Sequence, residues 1–169
     1  TRLTNGNYVV RSPNWDSPSG PVSNVGAITW CDGNVGCLGS VSVSNSLVGG
    51  TVNDQIGGVS NLVVPLTNGN YVVRSILWDN PSGPVVDVGA VTWGNGNGGT
   101  VGLVSIFNSI AGSTSGDQVG TGMIALDNGD YIFDNVNWDN PYTMPAPTVN
   151  ADALTIGNGA TGSYGRIDA

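Results

Sequence analysis

The chain has 169 residues, a mass of 17.2 kDa and a formal net charge of −8; all 12 acidic residues are Asp, all four basic residues are Arg, and Lys, Glu and His are absent. Without His or Lys there is no imidazole base or metal ligand, no Schiff-base amine and no phosphate-loop lysine, so the chain reads as non-enzymatic. A pI near 4.1 argues against nucleic acid and anionic membrane surfaces, both of which are bound chiefly through Lys and Arg.

In chain order, the first signal is Leu3, an Asn5-Gly6 turn and the β-branched run Tyr8-Val9-Val10-Arg11-Ser12. This spells an antiparallel hairpin, since both central residues of a type I′ turn need positive φ and Asn-Gly supplies them. Trp15-Asp16 follows, then a strand at Gly26–Trp30. Cys31 and Cys37 flank Asp-Gly-Asn-Val-Gly, a loop able to bring two Cα atoms to disulfide distance; a pair of free thiols is the alternative. Two cysteines make half a zinc shell, so no metal site is read there.

The second unit repeats the first. Strands are predicted at Leu62–Leu66 and Tyr71–Ser75 around Asn68-Gly69, at Gly89–Trp93 after an Asn-Pro-Ser-Gly-Pro loop, and at Leu103–Ile110. Leu3 to Leu66, Tyr8 to Tyr71, Trp15 to Trp78, Ala27 to Ala90 and Trp30 to Trp93 are all 63 residues apart. The third unit runs at 60 (Tyr71 to Tyr131, Trp78 to Trp138), and after the Pro-rich loop Asn140–Asn150 it returns to 63 (Ala90 to Ala153). The repeats are placed at 3–65, 66–125 and 126–169, the last diverged or truncated. No apolar run approaches the roughly 18 residues of a membrane span, so no membrane insertion is expected. Thr1 does not open a signal peptide, and the segment is read as mature or excised.

Four short antiparallel strands per unit, with a hairpin inside each, predict an all-β fold of β-propeller-type blades. The alternative is a right-handed parallel β-solenoid, which suits the Gly/Asn/Val/Ser-rich composition but not the two-residue hairpins at Asn5-Gly6, Asn68-Gly69 and Asn128-Gly129. Blade one lacks a first strand, and about eleven strands make slightly under three blades. Propellers close with four or more, so either the segment is cut from a longer chain or copies associate as a homo-oligomer that completes the ring.

Asp117-Gln118-Val119-Gly120, Met123–Leu126, Asn128-Gly129-Asp130-Tyr131-Ile132 and Trp138-Asp139 resemble the FG-GAP repeat of integrin-α-type propellers, as do Tyr8–Asp16 and Gly26–Trp30. Repeats of that kind occur in large bacterial surface and secreted proteins, so the resemblance implies an extracellular or cell-surface module of adhesion or recognition, with a protein or a glycan as partner. The calcium loop of that family is replaced here by the Asn-Gly turn. Only the third repeat, with Asp127 and Asp130, has even two carboxylates there, and calcium at these turns is not supported.

The candidate ligand-binding residues are Trp15, Asp16, Trp78, Asp79, Trp138 and Asp139. An exposed Trp beside a carboxylate offers a flat face to a sugar ring and an acceptor to its hydroxyls, as in a lectin-like module. The plainer reading makes each Asp an Asx-turn that organises the following loop. The Tyr8, Tyr71 and Tyr131 set is read as packing between blades, and Arg11 and Arg74, whose position is taken by Asp134 in the third repeat, as charges that pair across a blade at the surface and need no functional role. A structural subunit of a filament or coat is the third functional class, and no catalytic residue is assigned.

Overall fold

The computed structural model describes residues 1–20, 22–58, 63–83, 85–140, 146 and 148–167. Among them there is no helix, and so none long and apolar enough to cross a membrane. The described residues form twelve strands in three open sheets, none closed into a barrel.

In the first sheet, β1 (Tyr8–Ser12), β2 (Ala27–Cys31) and β3 (Ser46–Val48) run antiparallel, with Tyr8 opposite Cys31 and Ala27 opposite Val48. The second contains β4 (Val63–Pro65), β5 (Tyr71–Ser75), β6 (Ala90–Gly94) and β8 (Ser109–Ala111). The third contains β9 (Gly122–Ala125), β10 (Tyr131–Asn135) and β11 (Ala153–Gly157). Two short strands cross between units. β7 (Gly102–Leu103), from the second repeat, lies parallel on β3, and β12 (Gly165–Arg166), from the third, lies parallel on β8.

The segment Leu103–Ile110, expected as one strand, is therefore two. Asn108 Oδ1 accepts the Ser105 backbone N–H at 2.9 Å and ties a turn between β7 and β8. The same holds for the end of the chain, where Gly165–Arg166 is the counterpart of β7 and pairs with the second repeat rather than closing the third; Asp168 and Ala169 lie outside the described residues. The first repeat does have the beginning of a first strand, because Arg2 bridges Tyr8 and the Thr1 ammonium donates to the Val9 carbonyl at 2.8 Å. Leu62, expected to open the strand before Asn68-Gly69, also lies outside the described residues.

The hairpin turn differs from the expected type I′. Gly69 has φ +93, but Asn68 is not in the positive region. Gly69 N–H donates to the Leu66 carbonyl at 3.3 Å and Leu66 N–H to the Asn70 carbonyl at 2.8 Å, which is a type I turn followed by a left-handed glycine bulge. Asn68 Oδ1 accepts the Asn70 N–H at 3.1 Å, so the asparagine serves as an Asx acceptor and only the glycine needs positive φ.

Period-2 alternation sends successive side chains of a strand to opposite faces. In β5, Tyr71 and Val73 join Leu3, Val9, Ile28, Leu47 and Ile56 of the first repeat in one apolar cluster. Val72, between them, joins Val91 in a second cluster with Tyr131, Phe133 and Trp138 of the third. The core thus lies between repeats rather than within one. A single unit cannot bury its own sheet faces, and stacking removes them from water.

Candidate functional site

At each Trp-Asp position the carboxylate closes its own loop. Asp16 Oδ1 accepts the Asn24 N–H at 2.7 Å, Asp79 Oδ1 the Asp87 N–H at 2.7 Å and Asp139 Oδ1 the Asn150 N–H at 2.8 Å. Asn24, Asp87 and Asn150 all have φ near +50°, a left-handed conformation that Asx residues tolerate best. Each carboxylate therefore clamps the strained corner of its loop. Trp78 is 1% exposed and Trp138 3%, both inside the inter-repeat clusters, while Trp15, on the outer side of the first repeat, is half-buried. The rings of Trp78 and Trp138 do not reach solvent, which corrects their assignment as stacking platforms for a sugar: each fills the gap between two sheets.

The most elaborate polar arrangement is at the repeat junctions. The Gly96 carbonyl accepts three side-chain donors from the first repeat: Asn5 Nδ2 and Asn7 Nδ2 at 2.8 Å, and Trp30 Nε1 at 2.9 Å. One repeat later the Gly159 carbonyl accepts Asn68 Nδ2 at 2.8 Å, Asn70 Nδ2 at 2.9 Å and Trp93 Nε1 at 2.8 Å. Asn70 also spans its own hairpin, its Oδ1 accepting the Gly96 N–H at 3.0 Å. Thr4 and Thr67 add hydroxyl donors to the Leu66 and Asp127 carbonyls at 2.9 and 3.2 Å.

A second bridge uses buried carboxylates. Asp54 Oδ2 accepts the Gly50 and Thr51 N–H groups at 2.8 and 2.9 Å, while Oδ1 accepts the Thr51 hydroxyl and, from the next repeat, the Asp79 N–H at 3.1 Å. Asp117 does the same with Ser113, Thr114 and Asp139. Burial pushes the Asp54 carboxyl above the usual range against the pull of these hydrogen bonds. Sequence reasoning missed Asp54, Asp117 and the Asn pairs, although their recurrence 63 residues apart was visible.

Arg74 is buried, and its guanidinium donates to the carbonyls of Gly120 and Thr121. Burial lowers its pKa, and the nearby Asp134 carboxylate opposes that shift. Arg11 donates to the Gly58 carbonyl at 3.5 Å. These arginines pin backbone, where surface charge pairs were expected. Asp130 Oδ1 accepts the Gly159 N–H at 2.9 Å and Oδ2 the Asn128 amide at 2.9 Å, so both oxygens are engaged in hydrogen bonds. Among the described residues no cluster of three or more metal-ligating side chains occurs.

Cys31 and Cys37 are joined in a disulfide with their Cα atoms 4.4 Å apart. It stands where the other repeats have Gly94 and Gly157, on which the rings of Tyr71 and Tyr131 lie flat.

A family profile described as a repeat of unknown function, DUF5650, matches residues 2–58, 65–121 and 125–169. The chain belongs to the DUF5650 family. No curated protein and no solved structure matches it. The three DUF5650 copies correspond to the three stacked units, and the clamps described above join one copy to the next. Beside the first DUF5650 junction lies an open groove of about 420 Å³, lined by Trp30, Asp32, Val35, Leu38, Asn45 and Val101 among others. Backbone N–H groups of Asn34 and Val35 hold the Asp32 carboxyl below the usual range, so it stays a carboxylate at neutral pH. An equivalent groove of about 230 Å³, with Trp93 and Asn108, opens at the second junction.

Proposed function

We propose that the chain is a non-enzymatic structural and recognition module of an extracellular or cell-surface protein, in which DUF5650 repeats stack into a rigid array and present loops and grooves to a partner. The observation that carries this reading is the pair of like junctions, in which the same three side-chain donors converge on Gly96 and on Gly159. Such investment at the joins suits a scaffold. The propeller-type reading is carried forward only in that multi-stranded antiparallel sheets pack against one another through the inter-repeat clusters, and we read the array as an open stack rather than a ring completed by a second copy. The test is equilibrium unfolding followed by tryptophan fluorescence and far-UV circular dichroism. A single transition shared by both signals, and shifted as a whole by Asn70→Ala, is expected; three independent meltings would overturn the reading.

A second reading, carbohydrate binding, is supported by the first groove, where the half-buried Trp30 stands beside Asp32 and Asn45. It moves the sugar platform from the Trp-Asp loops to the junction. A glycan array probed with the wild-type chain and with Asp32→Ala tests it, and the reading fails if no reproducible hit depends on Asp32.

A further inference from the structure

The sequence contains six Asn-Gly pairs, which begin at Asn5, Asn68, Asn95, Asn97, Asn128 and Asn158. Such a pair can modify itself, because glycine has no Cβ to keep its backbone nitrogen away from the preceding side-chain carbonyl carbon. The reaction needs two freedoms. The asparagine side chain must turn onto the main chain, and the glycine N–H must be released from any acceptor. A hydrogen bond of ordinary net strength that must open first slows the step by about fivefold.

Five of the six pairs are tied at both points. Gly6, Gly69 and Gly129 N–H donate to the Leu3, Leu66 and Leu126 carbonyls at 3.3, 3.3 and 3.0 Å. Gly96 and Gly159 N–H donate to Asn70 Oδ1 and Asp130 Oδ1 at 3.0 and 2.9 Å. Their asparagines are held as well. Asn5 and Asn68 Nδ2 donate to the Gly96 and Gly159 carbonyls at 2.8 Å, and Asn128 Nδ2 donates to Asp130 at 2.9 Å. Asn95 Oδ1 accepts the Asn97 N–H at 2.9 Å, and Asn158 Oδ1 accepts the Ala160 and Thr161 N–H groups at 2.9 and 3.0 Å. Asn97-Gly98 differs at each point. Gly98 N–H has no acceptor among the described residues, and the exposed Asn97 side chain has there a single 3.3 Å bond, from Asn5 Nδ2 to its Oδ1. Gly98 lines the first groove, with nothing within 4 Å of its Cβ position, so water and hydroxide reach it.

Asn97 is also at the tip of a turn that carries the first junction. Gly99 N–H closes that turn on the Asn95 carbonyl at 2.8 Å. Within it, the Gly96 carbonyl gathers Asn5, Asn7 and Trp30, and Trp30 Cβ lies 2.7 Å from the Cβ position of Gly99. The corresponding pair at the second junction is Ala160-Thr161, which has no side-chain amide to react.

We propose that Asn97-Gly98 is a self-modification site, which converts to isoaspartate and loosens the first junction while the second stays intact. The Gly98 nitrogen gives its proton to hydroxide and attacks Asn97 Cγ. The N–Cγ bond forms, the Cγ–Nδ2 bond breaks, and Nδ2 takes a proton from water and leaves as ammonia. Water then opens the five-membered imide. Opening at the main-chain carbonyl gives isoaspartate, whose main chain runs through Cβ and Cγ and is one carbon longer; opening at Cγ gives aspartate. Water is the sole co-reactant. The added carbon enters a closed turn and moves Gly96 and Gly99 out of register with Asn5, Asn7 and Trp30.

The test ages the purified chain in warm, mildly alkaline buffer and follows all six pairs by peptide mapping with mass spectrometry. In the folded chain Asn97 is expected to convert faster than any other pair by about fivefold or more, and in concentrated urea the six rates are expected to converge. Another pair converting as fast as Asn97 in the folded chain, or the same spread of rates in urea, overturns the site. The control is Gly98→Val, which places a β-branched residue after Asn97; Gly98 lacks positive φ and has open space around it, so the variant is expected to fold. Aged wild type should lose urea midpoint in step with conversion at Asn97, while aged Gly98→Val keeps its own. A midpoint unchanged after conversion overturns the effect on the junction, and that measurement needs the wild type alone. Asn97→Asp adds the charge without the extra carbon and should keep the midpoint of unaged wild type. A drop equal to that of the aged chain would overturn the lengthened turn as the cause.

Discussion

Replacing Asp117 with Ala removes a carboxylate that is 1% exposed and accepts four hydrogen bonds, from the N–H groups of Ser113 and Thr114 at 2.7 and 2.9 Å, the Thr114 hydroxyl, and the Asp139 N–H at 3.1 Å. The hydroxyl can rotate to another acceptor, but the three backbone N–H groups cannot. Leaving a buried donor unmet costs about 1 to 3 kcal/mol. Because Ser113, Thr114 and Asp139 are only half-buried, water can reach part of the site, and the lower figure applies to each. The expected loss is then about 3 kcal/mol, a large share of the 5 to 15 kcal/mol typical of a domain. Asp117→Asn should cost less, about 1 to 2 kcal/mol, because its remaining oxygen can still serve the Ser113 and Thr114 N–H groups, the Thr114 hydroxyl can turn to accept from the amide, and the Asp139 N–H alone is left facing a donor. Urea titration with tryptophan fluorescence measures both, with Trp138 adjacent to the perturbed Asp139. If Ala costs under about 1 kcal/mol, or no more than Asn, the carboxylate is not the bridge between the second and third repeats and the reasoning fails.

Tyr71 and Tyr131 have buried hydroxyls that lie near the Thr100 and Ser163 backbone without reaching hydrogen-bond geometry, and burial pushes both pKa values up to about 12. Unfolded tyrosine ionises near 10, so stability is full below that pH and drains as pH rises from 10 to 12, by about 2 to 3 kcal/mol per residue. Denaturation at stepped alkaline pH checks this, and Tyr71→Phe should flatten the loss while raising neutral-pH stability by about 1 kcal/mol. Gly94→Ala would set a Cβ 2.1 Å from the Tyr71 ring; a loss of about 3 kcal/mol or more is expected by thermal unfolding, and a neutral result would mean the ring does not lie there. Reducing the Cys31–Cys37 disulfide, which closes a short loop, should cost about 2 kcal/mol, read as a drop in urea midpoint with and without reductant.

The sequence made the unit and most of its strands legible, because they are written in local signals. β-Branched runs bounded by the Asn-Gly turn and the Asn-Pro-Ser-Gly-Pro loop placed β5 and, shifted by one residue, β6 (Ala90–Gly94). Where an answer depended on distant residues, local pattern failed. Leu103–Ile110 looks like one strand, but the Asn108 side chain turns the chain in its middle and the first half pairs with a different repeat. Trp78 and Trp138 sit beside Asp in Pro-rich loops, a setting that reads as exposed, yet a neighbouring sheet covers both. Asn5 and Asn7 were absorbed into a turn assignment, since nothing nearby hints that their amides reach a carbonyl some 90 residues away.

The pentapeptide Tyr-Val-Val-Arg-Ser occurs twice, at Tyr8–Ser12 and at Tyr71–Ser75, with unequal surroundings: every residue of the second copy is buried, whereas Val9 alone is buried in the first. The burial of a residue is therefore set by whether another unit packs on its sheet face rather than by its neighbours in the chain. Copying the middle unit in place would supply both mating surfaces ready-made, so such a chain can lengthen from its interior by duplication.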